Sequence, residues 1–368
     1  MMLLLLAAAT FAQSITLPPS GDNQKSSVTQ WIGPVAVTIT YNSPDVHGPQ
    51  GEDRTGHIWG ELVPYGFTDP GYGSSRSAPW RAGANENSTI RFSHDVVIDG
   101  KPVKAGVYGI FIDVQESGPW TWILSMDADN WGHYHYDPAN DVIRVQSPSK
   151  EAPFTEWLTY GFDDRRPTSA VAYLQWEKKR VDLKIEAQNV NEIYVDKIRA
   201  DLQGHRMGFN NQSWIDAALF CAQNKINLEE ALVWAEYAIR GRYIGVEDFS
   251  SLQAKAMVLQ AMGKEKESDD IMLSAVNHPS ANMQLIHQYG RALLQSGKKE
   301  KAMEVFHLNR KKNPNDKFTT YVGLARGYTA LGDKKNALKN WEIALKNLPD
   351  DQKPNKAFYE SEMAKLKG

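Results

Sequence analysis

Two short runs in this 368-residue chain gather side chains able to do chemistry. The first is Trp80-Arg81-Ala82-Gly83-Ala84-Asn85-Glu86, an aromatic ring beside a guanidinium, an amide and a carboxylate. Aromatic platforms with a few polar groups suit sugars or peptides. One reading of the run is therefore a ligand cleft, with Trp80 as stacking surface and Arg81, Asn85 and Glu86 as polar contacts. The other reading is a loop that fastens a sheet edge, with Arg81 under Trp80 bonded to carbonyls and paired with Glu86. Gly83 then permits the tight turn, and Asn85 bonds the backbone that follows. The second run is His133-Tyr134-His135-Tyr136-Asp137. If it is extended, His133, His135 and Asp137 share one face. Two imidazoles and a carboxylate on one face are candidate ligands for zinc or another divalent ion. Otherwise the run is a surface hairpin of polar and aromatic residues.

Other chemistry is absent from the pattern. Asp127 starts like a calcium loop, but Trp131 and Pro138 stand where oxygen ligands belong. Gly71-Tyr-Gly73-Ser-Ser-Arg76 lacks the third glycine of a dinucleotide loop. No nucleophile elbow, zinc-protease helix or phosphate loop occurs. No cofactor is expected. The carboxylates Asp45, Glu52, Asp53 and Glu86 leave one catalytic alternative open, an extracytoplasmic hydrolase acting on saccharide or peptide through two converging acids.

Two kinds of element must position these residues. Cut after Gln188, the chain divides by composition. The first part holds eight of the eleven Trp and fourteen of the eighteen Pro, with 15 basic against 22 acidic residues. The second holds 26 basic against 22 acidic residues, so the overall −3 is a cancellation of −7 and +4. A chain so near neutral has no overall footprint for nucleic acid, and none is expected as partner. Its 42% hydrophobic and 23% charged residues exclude both a mostly disordered chain and a multi-span membrane protein. Cys221 is the one cysteine, so intramolecular disulfides and all-cysteine metal sites are excluded. It is expected to be a packed thiol.

In the first part, alternating runs such as Val35–Tyr41 predict about ten short strands separated by turns. Candidates include Ser27–Ile32, His57–Gly60, Ser88–Ser93, Val107–Val114, Trp120–Met126, Asp141–Val145, Phe154–Phe162, Ser169–Glu177 and Val181–Glu186. The expected architecture is an antiparallel β-sandwich or flattened barrel. In the second part, Gly263, Gly297 and Gly332 recur at spacings of 34 and 35, the period of a two-helix repeat. Ala325, Tyr328, Leu331, Ala337, Trp341, Ala344 and Pro349 then fall where a tetratricopeptide unit has them. This part resembles a TPR-like α-solenoid, which implies a groove for a protein or peptide partner. The alternative is a spacer or dimer surface.

The expected divisions are a signal peptide at 1–12, a disordered tether at 13–27 and a β domain at 28–188. A linker helix at 189–210, TPR-like repeats at 211–349 and a capping helix at 350–368 follow, with Pro354 in the capping helix's first position. The signal reading rests on the apolar run Met1–Ala12, too short to span a bilayer, with small residues before a cleavage point. It predicts a periplasmic or secreted protein and no membrane span.

The ordered motifs Tyr41-Asn-Ser-Pro44, Gly56-His-Ile-Trp-Gly60, Leu62-Val-Pro-Tyr-Gly66, WRAGANE and Ala105-Gly-Val-Tyr108 resemble the DUF2911 family over about residues 30–187. The resemblance implies an exported protein of a kind common in Bacteroidetes, with no established activity to carry over. The stretches Asp45–Thr55 and Phe67–Pro79 are longer than is usual there, which would reshape a neighbouring site. The composite expectation is an exported, non-catalytic binding or scaffold protein. Its β domain would take a small ligand, glycan or peptide, and its repeats a protein.

Overall fold

The computed structural model describes residues 23–48, 50–204 and 206–367. The signal-peptide segment lies outside them, as does most of the tether. The chain forms two compact units, divided between Val190 and Asn191.

The first unit is a nine-stranded antiparallel sheet in the order β1-β2-β3-β6-β7-β8-β9-β4-β5. Its strands are β1 (Gln24–Ile32), β2 (Val35–Ser43), β3 (Thr89–Phe92), β4 (Val96–Ile98), β5 (Lys101–Val103), β6 (Gly106–Asp113), β7 (Pro119–Ser125), β8 (Asp141–Arg166) and β9 (Ser169–Ala187). β1 takes up Gln24 to Ser27, which the tether reading had left unstructured. Alternation in β2 does what period two requires, turning Val35, Val37, Ile39 and Tyr41 inward.

β8 is the device that folds the sheet over. Its first residues pair with β7 and the rest with β9, with register shifts between Glu151 and Thr159. Such irregularities bend a strand. The two halves then face each other across aromatic side chains, with Tyr41 and Tyr160 ring centroids 4.8 Å apart. Beyond its end, β2 continues to β8 through Leu158 N to Pro44 O (2.8 Å) and Val46 N to Glu156 O (2.9 Å). The fold is thus a sandwich partly closed toward a flattened barrel.

Several strand predictions need correction. Asp141–Val145 and Phe154–Phe162 are one strand, and so are Ser169–Glu177 and Val181–Glu186. The bulges interrupt the alternation without ending the pairing. His57–Gly60 is a turn whose one ladder contact is an isolated bridge from Trp59 to Val63. The β4–β5 hairpin was missed because it is only three residues a side. Its two-residue turn has Asp99 and Gly100 both at positive φ, as such turns require. Pro102 is tolerated because β5 is an edge strand.

The second unit is helical: α1 (Val190–Gly204), α2 (Asn211–Asn224), α3 (Leu228–Arg240), α4 (Phe249–Ala261), α5 (Glu265–Asn277), α6 (Met283–Gln295), α7 (Lys299–Lys312), α8 (Thr319–Leu331), α9 (Lys334–Lys346) and α10 (Lys356–Lys367). Helices α2 to α9 form four antiparallel pairs. Gly263, Gly297 and Gly332 follow the first helices of the last three pairs, with φ of 78°, 77° and 80°. That left-handed geometry ends a helix cheaply at glycine. Phe306 fills the space between α6 and α8, and a Cβ on Gly290 or Gly323 would lie 2.4 or 2.6 Å from its ring.

Two helical expectations change. The predicted linker helix is α1, and it joins the array's core: Val195 and Leu202 pack with Ala217, Ala218 and Cys221. Arg199 also pairs with Glu230 at 2.7 Å. Pro354 does not open the last helix but lies inside a 3-10 turn, Asp350–Asn355, ahead of α10. Among the described residues no helix is long and apolar enough to cross a membrane.

Candidate functional site

Trp80 enters its loop from the core. It exchanges two backbone bonds with Ile112 on β6, 3.1 and 2.9 Å. Its ring stacks on Trp176 with centroids 6.3 Å apart and meets Trp59 edge-on at 5.8 Å. Trp59 also packs on Trp120 at 4.8 Å. Only 8% of Trp80 is exposed. The ring expected to serve as an open platform therefore belongs to the domain's tryptophan core.

The loop turns at Ala82 and Asn85, with φ of 52° and 57°. Asparagine suits this geometry; alanine does not, so Ala82 must be held. Its carbonyl accepts bonds from Tyr160 Oη (2.8 Å) and Ser88 Oγ (2.9 Å), both buried. Gly83 has a different role from the expected turn. A Cβ there would sit 2.5 Å from Ser88 Oγ, so glycine permits close approach.

Arg81 and Glu86 do not pair with each other. Arg81 donates to Asn85 O at 3.0 Å and lies 5.1 Å over the Tyr134 ring. Glu86 accepts from Asn42 Nδ2 at 2.7 Å and lies 3.9 Å from Lys25 Nζ.

Tyr134 links the two runs singled out from sequence. Its segment is a turn, not a strand. His133 Nδ1 donates to Pro79 O at 3.0 Å. Burial, then the charge of Arg81, pushes the His133 pKa down. His135 instead faces Ser74, 3.1 Å from Oγ. Asp137 caps a short 3-10 turn by accepting from Ala139 N at 2.9 Å. The three side chains are thus committed in three directions. Among the described residues no group of three His, Cys, Asp or Glu gathers to hold a metal ion. The metal reading of His133, His135 and Asp137 is corrected accordingly, because it needed an extended backbone.

What the junction does present is aromatic. Tyr72 is 70% exposed and meets Tyr134 edge-on at 5.6 Å. Ser75 N donates to Tyr134 O at 3.0 Å, zipping the 71–76 loop onto this turn. Gly132 makes room for Arg81, whose guanidinium would be 2.5 Å from a Cβ there.

Of the carboxylates of the hydrolase alternative, Asp45 and Asp53 lie near His47, while Glu86 is held by Asn42. Glu52 is held low by its own and Gln50's backbone N–H groups, and Asp53 by Thr55. A general acid needs the opposite shift. Sequence reasoning missed that His47 bonds Glu156 at 2.9 Å, which raises its pKa, and faces Asp53 at 3.7 Å. It also missed Glu177, a buried carboxylate accepting from Gly56 N at 3.3 Å. Glu156 and Glu177 lie more than a hundred residues from those partners, so no local spacing marks either contact.

Residues 23–185 match the family model DUF2911, "Protein of unknown function". No curated protein matches the chain. Among solved structures, a PilF of Pseudomonas aeruginosa aligns at 20% identity and TM-score 0.31, covering 42% of this chain and 67% of that one. A tetratricopeptide repeat protein from Parabacteroides merdae aligns at 12% identity and TM-score 0.33, covering 49% and 66%. YrrB, described as a TPR protein with an unusual peptide-binding site, aligns at 18% identity and TM-score 0.29, covering 44% and 80%. The resemblance carried by WRAGANE and its flanking motifs is thus borne out over residues 23–185, which match the DUF2911 model and are followed in this chain by TPR-like helix pairs.

Proposed function

We propose that this is an exported, non-catalytic scaffold whose repeat array binds a protein or peptide partner. The supporting observation is the array itself. Its cores run across successive helix pairs, joining α3 to α6 in one cluster and α6 to α8 in the next, and clefts open on the surface of the stack. One of about 250 Å³ is lined by Met257 of α4, Met272 of α5 and Tyr289 of α6. Stacked repeats with such clefts suit extended partners. The DUF2911 domain would contribute a second contact, for a small ligand, glycan or peptide, where Tyr72, Tyr134 and Arg81 meet. There the aromatic contact passes from Trp80 to Tyr72, while Arg81 keeps its polar role.

Export follows from the apolar run Met1–Ala12, with a periplasmic or secreted destination. N-terminal sequencing of extracytoplasmic material should begin near Gln13; an intact Met1 there overturns this part. For the scaffold, the full chain carrying a photo-cross-linker at Met257 should capture one defined partner at about micromolar protein. The same probe at exposed Lys101 should not. Absence of a partner at Met257 overturns the reading.

A further inference from the structure

A second cleft in the array, of about 360 Å³, is lined by two arginines and a histidine, with Asp316 and Asp351 on the same wall. It lies between α6 and α8 and is bounded by the 3-10 turn ahead of α10. Its volume is that of a small-molecule pocket.

His287 of α6 lines it at 8% exposure and makes no hydrogen bond among the described residues. Its Nδ1 is buried against Gly323 of α8, where a Cβ would come within 3.2 Å. Arg291 stands one turn further along α6, on the same face. It has neither a hydrogen bond nor an ion pair among the described residues. Arg326 of α8 completes the group. Its guanidinium lies over Phe358 (5.5 Å) and Trp341 (6.0 Å), and its Nε is buried without a partner.

Two acids, Asp316 and Asp351, line the same cleft, and among the described residues neither forms an ion pair. Asp316 Oδ2 accepts from Thr320 N (2.7 Å) and Oγ1 (2.8 Å), closing the first turn of α8. Asp351 accepts from Gln352, and Glu362 pairs with Lys365 at 2.5 Å. Two guanidiniums therefore share a cleft with two carboxylates that they do not pair with, beside an imidazole without a hydrogen bond. Arg291 is exposed and Arg326 partly buried, and an oxyanion between them gains charge-assisted bonds while giving the buried Arg326 Nε an acceptor.

We propose that this cleft is a binding site for a small oxyanion, a carboxylate or phosphate group, held by Arg291, Arg326 and His287. The imidazole supplies a neutral N–H donor, and the guanidiniums supply the charge. Val322 and Phe318 add an apolar wall, which suits an organic anion over a bare ion. The site is separate from partner capture at Met257 and from the DUF2911 domain's contact.

The test is calorimetric titration of the full-length chain with succinate and, separately, with inorganic phosphate. The expected result is saturable binding of one anion per chain, weakened about tenfold or more in Arg291→Gln. Arg291 has no protein partner to lose, so that variant should fold. Arg326→Met keeps the contact with Phe358 and should weaken binding in the same way. Tighter succinate binding assigns the site to carboxylates, and tighter phosphate binding to phosphates. The proposal falls if neither probe saturates by about 10 mM, a concentration at which even weak sites fill. It also falls if both variants bind as the parent does.

Discussion

Acid should loosen the repeat array through one side chain. His287 is buried, and burial first, then the charges of Arg326 and Arg291, push its pKa down to about 4; Asp316 acts weakly the other way. In the unfolded chain the same imidazole titrates near 6.5. Between these values the unfolded state binds a proton that the folded state refuses. Stability is therefore complete above 6.5 and falls as pH falls toward 4. The linkage integral gives about 2 kcal/mol lost between pH 7 and pH 5 from this group alone. The assay is urea unfolding followed by helical circular dichroism at the two pH values, comparing the parent with His287→Gln. The variant should lose less on acidification, by about those 2 kcal/mol, even if it starts less stable at pH 7. Equal losses in the two proteins would refute the reasoning. Saturating the cleft with succinate should depress the effect further, because an anion beside the imidazole stabilises its charged form.

Four more outcomes follow from contacts already described. Ser88→Ala and Tyr160→Phe each remove one of two bonds to Ala82 O, and each should cost about 1 kcal/mol. Together they orphan a buried carbonyl, so the double variant should lose more than the added single effects; tryptophan fluorescence reads this, and simple additivity would count against the clamp. Gly132→Ala meets both a φ of 71° and the Arg81 guanidinium, and should cost about 2 kcal/mol in the same signal. In the array, Gly290→Ala crowds Phe306 and should destabilise by about 1 kcal/mol despite alanine's better helix propensity, seen in circular dichroism. Cys221, whose thiol burial pushes up to about 11, should react with a thiol reagent only on unfolding, as the mass of the labelled protein will show.

The sequence pattern carried the architecture further than the site, for physical reasons. Period two in Val35–Tyr41 and the glycines at 263, 297 and 332 report local geometry, which a linear pattern can express. β8 and β9 were read as four strands because bulges near Thr155 and Glu177 break the alternation while the ladder continues. The site depended on which way side chains turn. Trp80 looks identical in sequence whether it faces solvent or Trp176, and only the stacked core decides. His133, His135 and Asp137 alternate correctly for a shared face, but Gly132 and the turn after it remove the extended backbone that the alternation assumed. His287 and Arg326, thirty-nine positions apart, become neighbours only when α6 and α8 stack.

Bracing dominates in one unit, and unpaired donors in the other. In the DUF2911 domain, almost every polar group of WRAGANE is satisfied internally. The Ala82 carbonyl takes two buried donors, Arg81 holds Asn85, and Glu86 takes Asn42. Such a loop is rigid, and what it offers outward is the aromatic contact that Arg81 supports at Tyr134. In the array the balance is reversed. Arg199 and Glu230 neutralise each other beside Cys221, yet Arg291 and Arg326 are left facing one cleft. The Arg326 Nε is buried there without an acceptor, at a cost of about 1–3 kcal/mol that its contacts with Phe358 and Trp341 partly offset. The oxyanion proposed for this cleft would supply that acceptor.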